Sequence, residues 1–131
     1  MIKIEKLNTI QKRNNLNHVY TIDEKGAGNA HHAYAVMNSE VSLDDLLAQE
    51  ENQIAFIQFQ NGPRFEEGSQ HGVGTMDLLE ICRHQLTCFQ TGDMASRENA
   101  IALTHIEEAL LWLNKRAEDR ADRGVLGTTN K

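Results

Sequence analysis

No apolar run in the 131 residues approaches the roughly 20 needed to cross a membrane. The first segment, Met1 to Lys12, is charged and lacks the apolar stretch of a secretory signal, so a soluble, cytoplasmic protein is expected. Cysteine is scarce: Cys82 and Cys88 are the two, in a segment of helical spacing. Six steps of about 100° put them on well-separated faces, out of disulfide reach of each other. Neither belongs to a CxxC pair, the usual signature of zinc binding or thioredoxin-like redox chemistry. Buried, reduced thiols in a reducing compartment are expected. A basic surplus is also missing. Thirteen Lys and Arg against nineteen Asp and Glu give a net charge of −6. That counts against a duplex nucleic-acid surface, but not against a small anion, which feels only local charge.

Catalytic signatures are absent too. There is no phosphate loop, no nucleophile elbow, no GxGxxG after a strand and no HExxH. The six histidines, His18, His31, His32, His71, His84 and His105, are scattered without ligand spacing. Glu66-Glu67 and Glu107-Glu108 supply carboxylates, yet no partner stands at a spacing that suggests an acid–base pair. No enzyme, metal or cofactor is expected.

What the chain does contain is a change of character near residue 72. His18 to Ile22, His32 to Val36 and Ile54 to Phe59 have the alternating, β-branched or aromatic look of half-buried strands. Asp23 to Asn29 suits a hairpin connection, and Ile2 to Ile10 adds an edge strand. Ser42 to Leu47 reads as a short capped helix. From Thr75, Met76, Leu79, Cys82, Leu86 and Phe89 form one helical apolar stripe. A second helix starts at the N-cap Ser96, carries Ala100, Leu103, Ile106, Leu110 and Leu113, and stops at Gly124. At about 28 residues it is roughly 42 Å long, far longer than its partner. The expected fold is α+β in a single domain, residues 1–131. An antiparallel β subdomain (1–71) with one short helix precedes an antiparallel helical hairpin (72–131).

Two groups of side chains on that hairpin could carry chemistry. Arg116, Arg120 and Arg123 are spaced i, i+4, i+7 along one face, and arginine forks match phosphate oxygens two at a time. Interleaved Glu118, Asp119 and Asp122 and the helix dipole allow a purely structural row as well. Beyond it, the backbone and hydroxyls of Gly127 and Thr128 could close over an anion or simply fray. At the other end, Ser96-Arg97-Glu98-Asn99 offers a helix N-terminus, with Phe89 close by for a base to stack on or as a core residue.

The pattern Phe89-Gln90, Ser96-Arg97-Glu98-Asn99-Ala100-Ile101-Ala102-Leu103-Thr104, Glu107-Glu108-Ala109-Leu110-Leu111-Trp112-Leu113, Arg116, Arg120, Arg123-Gly124-Val125, Gly127-Thr128 resembles the helical hairpin of phage anti-defence sponges. The resemblance is to the first Thoeris anti-defence family, with a related hairpin in an anti-CBASS sponge. Leu7 to Ile10, Val19-Tyr20, Gly26 to Ala30 and Phe59 to Pro63 extend it over nearly the whole chain. Where that family commonly has a cysteine before Arg-Glu-Asn, this chain has Ser96.

The resemblance implies a phage-encoded protein of the host cytoplasm that sequesters cyclic ADP-ribose isomers without degrading them. Phe89 would stack on adenine, Asn99 would make polar contact, and Arg116 and Arg120 would take the diphosphate, with Arg64 as a further cation; Arg123 is kept as a ligand-binding candidate on its spacing alone. Some members also hold cyclic trinucleotides at a second site, for which Gly127 and Thr128 are candidates, and assemble as hexamers of dimers. Asn99 and Arg116 lie seventeen residues apart on one helix, about 26 Å, against a ligand on the order of 10 Å across. Two antiparallel copies of the helix resolve this, so a homodimer with two sites straddling its interface is expected. A cyclic-nucleotide hydrolase and a structural or regulatory phage protein are the competing classes.

Overall fold

A computed structural model describes residues 4–11, 17–38 and 53–130. Contacts group the chain into two compact units, residues 1–62 with 68–72, and residues 63–67 with 73–131.

The first unit is a four-stranded antiparallel sheet in the order β1 (Glu5–Lys6), β2 (His18–Thr21), β3 (Ala33–Met37), β4 (Gln53–Gln58). Period-2 alternation is clearest in β3, where Ala33, Ala35 and Met37 are buried and Tyr34 and Val36 half-buried. Tyr20 lies opposite Ala35 and packs with Met37 into the core, over which Ile4 and Ile22 fold. Among the described residues of the expected edge strand, Glu5–Lys6 form β1, and the Ser42 to Leu47 helix lies outside the described residues. In the β2–β3 connection, Gly28 and Asn29 both have positive φ. Gly26 is needed for close approach, because a Cβ there would stand 3.1 Å from the Asn61 amide oxygen.

The second unit is a helical hairpin. The first helix, α1 (Thr75–Gln90), begins with the Asp77 carboxylate accepting the Gly74 N–H at 2.7 Å. The second, α2 (Arg97–Asp122), runs 26 residues without interruption, about 39 Å. Ser96 Oγ caps it by accepting from the Asn99 N–H at 3.0 Å. It ends in a Schellman turn: Gly124 has φ +72°, its N–H donates to Ala121 O, and the Val125 N–H donates to Arg120 O. Ser96→Ala should cost about 1 kcal/mol, read as a melting temperature lowered by roughly 2–6 °C.

A pair of helices covers little. Only Leu110 of the hairpin is buried, while Ile81, Leu111 and Trp112 are 65%, 70% and 71% exposed. Arg83 ties the helices, donating to Glu107 at 2.9 Å and to Glu80 at 3.4 Å. The hydrogen bond and charge of Glu107 push the guanidinium pKa up, but an exposed pair of this kind adds little stability. The expectation of buried thiols is corrected. Cys82 and Cys88 are both exposed, because an apolar stripe on α1 is wider than the strip one partner helix can shield.

Candidate ligand-binding site

Phe89 and Asn99 are brought to the same end of the hairpin by a hydrogen-bonded turn. The Gln90 amide, next to Phe89, accepts from the Ser96 N–H at 3.0 Å and donates to Ser96 O at 3.1 Å. Asn99 sits on the first turn of α2, its backbone held by Ser96 Oγ and its Nδ2 donating to Met94 O at 3.2 Å. The Phe89 ring is 37% exposed, enough to present an edge or face to a ligand. Free N–H groups at this helix start add positive potential.

At the far end, the three arginines diverge in use. Arg116 is exposed and has no partner among the described residues. Arg120 is half-buried, and its Nη2 donates to Val125 O and to Thr128 O, both at 3.1 Å. Arg123 turns back along the helix, with Nε donating to Asp119 Oδ2 at 3.2 Å. The row of matched cations expected from the spacing is thus one open arginine, one buttressed and one paired. A phosphate bound here meets Arg116 first.

The tail is not splayed. The Thr128 hydroxyl donates to Val125 O at 2.6 Å, so Gly124 to Thr128 coil around the Arg120 guanidinium. Arg64 lies in the tight turn Pro63 to Glu66, closed by the Glu66 N–H donating to Pro63 O at 3.0 Å. The neighbouring Phe65 N–H donates to Gly127 O at 3.1 Å, which seats the Arg64 loop on the same tail. The spacing of charges could not reveal this. The signal for it was the pair of glycines three residues apart after the helix stop, both with positive φ.

Chain continuity fixes the distance between the two ends. Asn99 and Arg116 belong to one unbroken helix, about 26 Å apart along its axis. Between them, Glu108, Leu111, Trp112 and Lys115 line a shallow groove of about 310 Å³, with the Lys115 ammonium 5.8 Å from the Trp112 ring. Among the described residues, no group of three or more His, Cys, Asp or Glu is placed to hold a metal ion. No described helix is long and apolar enough to cross a membrane.

Comparison with known proteins places these features in a family. Residues 51–118, more than half of the chain, match the model of the Acb2/Tad1 hairpin domain. Arg64, Phe89, Asn99 and Arg116 fall inside that match, and Arg120, Arg123, Gly127 and Thr128 lie beyond it. Over 78 residues the chain is 46% identical to Thoeris anti-defense 1 of Bacillus phage SBSphiJ7, a stretch covering 60% of this chain and 54% of that relative. The aligned region therefore spans about half the length of the curated relative it matches. Since the hairpin match takes in more than half of its residues, the chain belongs to the Acb2/Tad1 hairpin family.

Proposed function

We propose that the protein is a phage anti-defence sponge, which captures a cyclic ADP-ribose-type signal in the cytoplasm of the infected cell and holds it unaltered. The working unit is a dimer in which α2 lies antiparallel to its copy. Phe89 and Asn99 of one protomer then stand beside Arg116 and Arg120 of the other, and the two-fold axis gives two equal sites.

The observation that carries this reading is the unbroken α2. Its length separates the base-binding end from the cationic end by more than twice the width of such a ligand. An antiparallel pair that brings Asn99 to the partner's Arg116 must cross near residue 108, where the groove of Glu108, Leu111, Trp112 and Lys115 lies. Leu111 and Trp112, 70% and 71% exposed, offer apolar surface at that level for a second chain to cover. The name of the phage relative supports the biological setting. A desolvated diphosphate on two arginine forks, with base stacking, can supply about 12 kcal/mol, which corresponds to nanomolar binding.

Calorimetric titration with cyclic ADP-ribose isomers, followed by heat release and mass analysis, tests it. The expected result is one nucleotide per chain, two per dimer, recovered intact. Recovery of a linear or cleaved product makes the protein a hydrolase. No heat with any isomer, and no ligand-dependent rise in melting temperature, removes the sponge reading. In its wider form the proposal includes a cyclic trinucleotide site at Gly127 and Thr128. Its mark is binding heat from a cyclic trinucleotide that persists in Arg116→Ala.

A further inference from the structure

The C-terminal turn has a second consequence, through a residue assigned no contact in the cyclic ADP-ribose site. We propose that Gly127 is a positioning residue: it seats the Arg64 loop on the tail that buttresses Arg120, so that both arginines enter the site preset. This rests on the reading of Arg64, Arg116 and Arg120 as anion-binding groups.

Three observations converge. Arg120 spends only Nη2 on the tail, donating to Val125 O and Thr128 O, which orients its remaining N–H groups. Gly127 stands between those two carbonyls with φ +81° and accepts the Phe65 N–H at 3.1 Å. A Cβ at Gly127 would collide with Phe65 Cδ2 and lie 2.6 Å from Cε2. Any L side chain there is strained by the left-handed backbone and collides with the Phe65 ring. The ring is 78% exposed and can yield sideways, so the strain falls on the Gly127 carbonyl that holds the Phe65 N–H, and the Arg64 loop is released with it. The loop is displaced while the helices stay folded. A cation that must be reordered at each binding event costs affinity, and one already fixed does not.

The test is Gly127→Ala, measured by calorimetry with the cyclic ADP-ribose isomers and by amide exchange of the free protein. Binding should weaken about tenfold, and the Phe65 amide should exchange at least tenfold faster while α1 and α2 keep their protection. Arg64→Ala should cost about tenfold in the native background and less than twofold on top of Gly127→Ala, as coupled residues do. Gly28→Ala is the control. It carries the same kind of strain (φ +69°) with no atom within 4 Å of the new Cβ, and should leave binding unchanged. Additive losses for Arg64→Ala and Gly127→Ala, or unchanged Phe65 exchange, overturn the proposal. If the unmodified protein binds no isomer, the ligand reading fails, while the Phe65 exchange still decides whether Gly127 seats the loop.

Discussion

Alanine at both Arg116 and Arg120 should abolish capture of a cyclic ADP-ribose isomer, lowering affinity at least a thousandfold while the helices remain folded. Hydrogen bonds to a charged group contribute about 1.5–3 kcal/mol each. Leaving a diphosphate facing no cation adds a desolvation penalty, so about 5 kcal/mol in total is a conservative sum. The single variants separate two effects. Arg116→Ala deletes an exposed side chain that has no partner among the described residues, so its loss reports the clamp alone. Arg120→Ala also strips the donor from Val125 O and Thr128 O and frees the tail. It should therefore lower affinity more than Arg116→Ala, and it should lower the protection of the Thr128 amide. Titration calorimetry and exchange on the three variants check this. Nanomolar binding by the double variant removes the arginines from the site.

Mixing two inactive variants should restore activity. Phe89→Ala keeps its arginines, and Arg116→Ala keeps its stacking ring. In a heterodimer of the two, one site combines the intact halves and the other combines both defects. Random exchange makes half of the dimers mixed, so about a quarter of all sites should regain full affinity. The measurement is the number of tight sites in a 1:1 mixture, after incubation long enough for subunits to exchange. Each variant alone should show none. No recovery, with exchange verified by native mass spectrometry of tagged chains, places the whole pocket within one chain and ends the interface model.

Much of the fold is legible because it is local. Ser96 announces the start of α2 through its cap and Gly124 its end through a left-handed turn, and both do so in the structure. Alternation finds β2, β3 and β4 to within a residue or so. The start of β3 moves from His32 to Ala33 because the His32 N–H is taken by the Asp23 carboxylate at 2.9 Å. What escaped is non-local. Phe65 and Gly127 are far apart in sequence, and nothing in either neighbourhood announces their contact. Charge spacing placed Arg120 and Arg123 on one face but not what lay within reach of them, namely the carbonyls of a returning tail and Asp119. The cysteines teach the same lesson from the apolar side. Periodicity tells which face of a helix is greasy, but not whether anything lies against it.

Because α2 has no kink, it works as a gauge whose graduation is the residue. One residue added between Asn99 and Arg116 swings every later side chain by about 100° and lengthens the rod by about 1.5 Å. In the proposed dimer, symmetry then spoils both pockets in a single event. Point changes along this stretch can drift, but insertions and deletions cannot. If the proposed pocket holds, the count from Asn99 to Arg116 should stay fixed across descendants of this chain even where the letters between them do not.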